Sequence, residues 1–199
     1  MWLGYLRVMH TERTRGYKQT TVELTASRDG RHWYRVGNRR EILPLGSETQ
    51  WDTDYHDPLW EPVPVGDELW IYYRSGKLRR NQTRRYDLGL AKFRRDGFVS
   101  LDADDRPGSV LTRPLSFTGK RLFVNAEVGD GGSISVSVLS RKRQPLAGYT
   151  RSDAIAITRG GLAIPVAWKQ ATGLGLPAGQ HVRLRLELKN ARLFSFWIE

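Results

Sequence analysis

The chain has no cysteine among its 199 residues. That excludes disulfides, a thiolate nucleophile and a cysteine-ligated zinc, and it leaves the redox compartment open. No apolar run reaches bilayer-spanning length, and Met1-Trp2-Leu3-Gly4-Tyr5-Leu6-Arg7 lacks the charged, apolar, small-residue order of a signal peptide. The expectation is a soluble chain with no membrane partner and an unassigned localisation. Helix signals are scarce throughout. Helix-turn-helix, zinc-finger, RNP and glycine-loop signatures are all missing. His10, His32 and His181 stand apart from one another without metal-ligand spacing, so neither a metal nor a cofactor is expected.

What is present is enough apolar material, 39% hydrophobic and 11% aromatic, to bury a core in one or two domains. The formal charge of +11 would ordinarily favour phosphate partners, because clustered Lys and Arg gain from counterion release. Its distribution decides otherwise. Much of the excess sits in Arg74, Lys77, Arg79, Arg80, Arg84, Arg85, Lys92, Arg94 and Arg95, with a smaller group at Arg141, Lys142 and Arg143. The larger group spans a loop and its two flanking strands. A solvated loop or a site for an anionic glycan fits this pattern better than nucleic acid does.

Strand-like runs bounded by Gly, Pro, Asn and Asp recur along nearly the whole chain, which is an all-β pattern. The first group is Trp2–His10, Thr20–Ser27, Tyr34–Val36, Trp60–Val65, Glu68–Tyr73 and Asp87–Arg94. The second is Val110–Phe117, Arg121–Val128, Ser133–Leu139, Ala154–Thr158, Ala163–Trp168, His181–Leu188 and Leu193–Ile198. In Val182-Arg183-Leu184-Arg185-Leu186-Glu187-Leu188 the aliphatic residues fall on one face and the charged ones on the other, as in a half-buried antiparallel strand. Ser133 to Val138 repeats the alternation, so a β-sandwich is expected in the second half. The acidic Ser100–Gly108 segment, ending in Pro-Gly, marks a boundary between residues 1–101 and 102–199.

The richest set of titratable groups is Trp51-Asp52-Thr53-Asp54-Tyr55-His56-Asp57-Pro58-Leu59-Trp60-Glu61-Pro62. Glycosidic bond cleavage needs two carboxyl groups flanking the bond, and a third often tunes them. Asp57, Asp54, Glu61 and His56 are therefore the candidate catalytic residues. Trp51, Tyr55 and Trp60 are candidates for stacking on sugar rings, and Arg74 for bonding an anionic group. The bland alternatives are that Asp52, Asp54 and Asp57 make Asx turns before a Pro58 strand entry, and that Trp60 and Trp70 pack a core.

Ser27-Arg28-Asp29-Gly30-Arg31-His32-Trp33 fits Ser-x-Asp-Gly-x-x-Trp, the turn that closes a hairpin in a β-propeller blade. Asp accepts backbone N–H groups, Gly supplies a positive φ and Trp folds back over the turn. Any Asp-Gly between strands also makes a hairpin. The turn is followed by Gly66-Asp67-Glu68-Leu69-Trp70-Ile71-Tyr72-Tyr73 and by Leu88 to Leu101. Together these resemble the C-terminal part of glycoside hydrolase family 32 or 43-like proteins, which have a five-bladed β-propeller and an appended β-sandwich. Arg121-Leu122-Phe123-Val124-Asn125-Ala126, Pro165 to Lys169 and Val182 to Trp197 resemble the appended domain, so the likeness covers nearly the whole chain.

The resemblance implies an all-β chain of about two blades, a partial propeller, followed by a sandwich, with Asp57 at the mouth of the propeller channel. It also implies missing early blades, which in those hydrolases carry most catalytic carboxylates. No early Asp-Pro-Asn-Gly, Arg-Asp-Pro or Glu-Cys motif is found, and Asp57-Pro58 is only a fragment of one. The expected function is a glycoside hydrolase-like protein that acts on or binds an oligo- or polysaccharide, with a non-catalytic binding or structural module as the alternative. Open blade edges imply self-association.

Overall fold

In a computed structural model, residues 1–11, 19–59, 61–77, 86–177 and 179–199 are described. The chain is all-β and divides into two compact units, Met1–Val99 and Ser100–Glu199, each with one sheet, and neither sheet closes into a barrel. In the first unit the strands are β1 (Trp2–His10), β2 (Gln19–Ser27), β3 (Trp33–Arg35), β4 (Glu41–Leu43), β5 (Tyr55–Pro58), β6 (Val63–Val65), β7 (Glu68–Gly76) and β8 (Asp87–Arg94). In the second they are β9 (Leu101–Ala103), β10 (Gly108–Leu111), β11 (Leu122–Ser140), β12 (Gly161–Pro165) and β13 (Val182–Ile198).

Two long hairpins frame the first unit. β1 pairs with β2 from Trp2↔Ser27 to His10↔Gln19, and β7 with β8 from Glu68↔Arg94 to Ser75↔Asp87. The opposite edge of β2 takes β3, β4 and, at Thr20↔Tyr55, the parallel β5. The opposite edge of β7 takes β5 at Tyr73–Gly76 and β6 at Glu68–Trp70. β5 therefore stitches the two hairpins into one sheet. Its sequence, Tyr-His-Asp-Pro, is poor strand material, which is why a loop is the natural reading of it. Pairing with β7 overrides that propensity, and Pro58, which lacks an N–H, sits where the strand ends. The expected Trp60–Val65 strand shortens to Val63–Val65, and Trp60 lies outside the described residues.

The first unit's core is thin, with Val22, Leu43 and Ile71 buried against Tyr5, Ile42, Tyr73, Ala91, Phe93 and Phe98. Gly89 lies opposite Tyr73 in the ladder, and a Cβ there would meet the Tyr73 ring at 2.3 Å, so glycine lets the phenol cross the β8 backbone. Large apolar side chains are exposed along the two outer strands, including Trp2 and Met9 on β1 and Leu88 on β8.

The second unit is built on β11 and β13, which pair from Leu122↔Ile198 to Ser140↔Val182. Each is one long strand where the sequence reads as two. Gly129-Asp130-Gly131-Gly132 looks like a turn, but here it is a bulge between Val128 and Ser133. A Cβ on Gly132 would come within 2.5 Å of the Asn190 carbonyl, so the bulge depends on glycine. Ala154 to Thr158 contributes isolated bridges, Ala154↔Trp168 and Ile134↔Ile157, rather than a strand. Val182, Leu184, Leu186 and Leu188 are buried while Arg185 is exposed, the face alternation expected of this strand. They join Val136, Val138 and Trp168 in the core, where the Trp168 indole N–H donates to the Val136 carbonyl at 2.8 Å.

Candidate functional site

The Ser27–Trp33 segment closes the β2–β3 hairpin by a dense local network. Asp29 Oδ1 accepts the N–H groups of Arg31 and His32, each at 2.8 Å, and the Ser27 hydroxyl accepts the Gly30 N–H at 2.9 Å. Gly30 has φ 73°, and the Trp33 indole N–H returns to the Gly30 carbonyl at 3.1 Å. The Trp33 ring lies over Gly4 of β1, where a Cβ would meet it at 3.0 Å. Hydrogen bonds from His32 and the backbone hold the Asp29 carboxyl well below the usual carboxylate range.

Alternation along β5 separates the titratable residues that the sequence clusters together. His56, only 2% exposed, faces Ser75 across the ladder, whereas Tyr55 and Asp57 take the opposite face. His56 Nδ1 lies 3.1 Å from the Leu43 carbonyl, so Nδ1 carries the proton and donates. Its Nε2, 3.4 Å from Asp52 Oδ2, makes no hydrogen bond there. The two attract as an ion pair only when the ring is protonated. The Tyr73 hydroxyl donates to the same Asp52 oxygen at 3.2 Å, and its ring sits 4.6 Å from His56 and stacks on Trp51 at 6.0 Å. Burial and the neighbouring Asp52 push the Tyr73 phenol up to about 12. Gly46 belongs to the same arrangement, since a Cβ there would collide with Asp52 Oδ1. With His56 sealed from solvent, this cluster anchors the 46–52 loop to the sheet.

The other face carries the half-exposed charged groups. Arg74 donates to Asp57 Oδ2 at 2.6 Å and Arg7 reaches Asp57 Oδ1 at 3.2 Å, so a single carboxylate bridges two guanidiniums. Asp57 raises the Arg74 pKa further. Both arginine side chains are about half exposed, at 51% for Arg7 and 47% for Arg74. The Arg74 guanidinium also lies 5.2 Å over the Tyr86 ring, and Tyr55 meets Tyr86 edge-on at 6.2 Å. Tyr55 is 7% exposed, and its hydroxyl has no hydrogen-bond partner among the described residues. Burial pushes its pKa up, opposed in part by Arg74. The Tyr5 hydroxyl is likewise unpartnered, and burial with the nearby Glu61 charge pushes that phenol up to about 12.

Of the residues singled out from sequence, Tyr55, Asp57 and Arg74 meet on this face, with Glu61, exposed, near Tyr5. His56 and Trp51 belong to the opposite cluster. Asp54 Oδ1 accepts the Thr53 hydroxyl at 2.9 Å, and its backbone carbonyl accepts the Thr20 N–H. Arg79, Arg80, Arg84 and Arg85 lie outside the described residues. Sequence reasoning misses Arg7 and Tyr86, because only the folded sheet brings Arg7 to Asp57 and Tyr86 to Arg74. Among the described residues no group of three or more His, Asp or Glu is placed to hold a metal ion, and no helix is long and apolar enough to cross a membrane. Comparison with family models, curated proteins and solved structures finds no match for this chain.

Proposed function

We propose that the chain is a carbohydrate-binding protein of the propeller-glycosidase type, with its site on the Tyr55–Asp57–Arg74 face of the first unit. In this reading the first unit corresponds to propeller-blade hairpins joined into one sheet and the second unit to the appended domain. The observation that carries it is the convergence of Asp57, two half-exposed arginines and the Tyr55 and Tyr86 rings on one side of the sheet. Sugars are bound by such sets, their hydroxyls by charged groups and their C–H faces by aromatic rings. The hairpin geometry at Ser27–Trp33, Asp and Ser capping a positive-φ glycine beneath a tryptophan, supports the propeller assignment.

Binding is favoured over hydrolysis because Asp57 Oδ2 already accepts from Arg74 and Oδ1 is ion-paired with Arg7. A glycosidase also requires a second carboxyl group at a defined separation across the scissile bond. The test is a glycan array run beside turnover assays on nitrophenyl glycosides and fructans. Glycan binding without turnover is expected. Turnover abolished by Asp57→Asn would make the chain a hydrolase, and a salt-sensitive shift with duplex DNA or RNA in place of glycan binding would overturn the reading. The outer edges of β1 and β8, which carry exposed apolar side chains, are where the same reading places self-association, checked by light scattering.

A further inference from the structure

We infer that the Arg7–Arg74 pair is a receptor for a carboxylate carried on a sugar, so that the glycan bound on this face contains a uronic acid. The inference rests on the carbohydrate reading above and adds the chemical class of the ligand.

Asp57 shows that the two guanidiniums, which come from strands far apart in sequence, converge within reach of one carboxylate. The three charges leave an excess of +1, and each arginine keeps further N–H donors on its half-exposed head. A planar carboxylate matches the guanidinium fork and neutralises that excess. The second observation is a buried donor. The Tyr55 hydroxyl is buried without a partner and lies within electrostatic range of Arg74, Asp57 and Arg7. An unpaired buried hydroxyl is costly, so a ligand oxygen that reaches it gains a donor with no existing bond to break. Tyr86, 45% exposed with Arg74 on its ring, and Tyr72, 44% exposed and two residues from Arg74 on β7, present aromatic faces for the sugar ring. Glu61 is the opposing charge nearby, and it faces Tyr5.

The geometry also assigns Asp57 an unusual role, that of an internal competitor occupying the arginines until the ligand arrives. Its removal therefore strengthens binding.

The experiment titrates the full chain by calorimetry with an oligogalacturonate, its neutral galactose counterpart, a sulfated galactose oligomer, acetate and sulfate. A uronate preference of about tenfold over the neutral sugar is expected. Arg74→Lys keeps the charge but loses the fork and lowers uronate affinity several-fold, while Asp57→Asn raises it. Circular dichroism checks that each variant is folded. Should Asp57→Asn unfold the chain, the Arg74→Lys loss and the uronate preference still decide. Equal affinity for both sugars would overturn this inference and leave the carbohydrate reading standing. Acetate or sulfate binding as tightly as the uronate, with no sugar contribution, would overturn both. Preference for a sulfated sugar over the uronate would overturn the carboxylate assignment alone.

Discussion

Gly89→Ala tests how the first unit is held together. The added Cβ would stand 2.3 Å from Tyr73 Cζ and 2.6 Å from both Cε1 and the hydroxyl oxygen. Ordinary carbon contacts lie at about 3.5–4.0 Å, so the ring must move by more than about 1 Å. It has little room, with Trp51 stacked on it, His56 beside it and Asp52 accepting its hydroxyl. Overpacking of this kind costs about 1–3 kcal/mol. The lost hydrogen bond, discounted because the ring is partly exposed, adds about 1 kcal/mol. Replacing a strand glycine by alanine returns roughly 0.5–1 kcal/mol through chain entropy. The net is about 2 kcal/mol, or about thirtyfold in the local opening equilibrium. Hydrogen-exchange mass spectrometry on β5, β7 and β8 reads this separately from the second unit. In a Tyr73→Ala background the clash is gone, and the same substitution becomes neutral or slightly stabilising. An equal cost in both backgrounds would show that the Tyr73 ring is not what Gly89 accommodates.

Asp29, held below the usual range, stabilises its turn fully above the unfolded carboxylate value of about 3.9 and loses that contribution only as pH falls through the lower folded value. The NMR amide shift of Arg31 should thus be unchanged between pH 5 and 3, and a midpoint near 3.9 would contradict the geometry. Tyr5 and Tyr73, both raised to about 12, contribute stability that is complete below pH about 10 and disappears as pH rises through about 12. Ultraviolet titration should show late-ionising tyrosines, one of them removed by Tyr73→Phe. Trp168→Phe deletes the donor to Val136 and leaves a void in the second unit's core, costing about 2–3 kcal/mol in a urea melt while β1–β8 exchange protection is unchanged.

Several elements are legible in the sequence because local pattern and tertiary structure agree there. Trp2–His10 and Asp87–Arg94 are strands over those same residues, and the 182–188 alternation gives a buried aliphatic face. The Ser27–Trp33 turn is legible because all its bonds are made within seven residues. β5 is not legible, since Tyr-His-Asp-Pro becomes a strand only through the edge that β7 offers it. The same cause hides the candidate site. Asp57 and Arg74 are prominent in the sequence, but Arg7 is fifty residues from Asp57 and reaches it only through the sheet. Conversely, sequence proximity misleads for Asp52 and His56, which strand alternation and a loop turn send to the face away from Asp57. Gly89 carried a readable signal, since a glycine inside a strand often marks close approach of a neighbour.

The decisive measurement for the Arg7–Arg74 site is an NMR titration of the full chain with an oligogalacturonate, following backbone amide and arginine side-chain signals. Shifts are expected to concentrate at Arg7, Tyr55, Asp57, Arg74 and Tyr86, with the Arg7 and Arg74 side-chain N–H signals moving most. No shifts at millimolar ligand, or shifts confined to residues 100–199, would contradict that site.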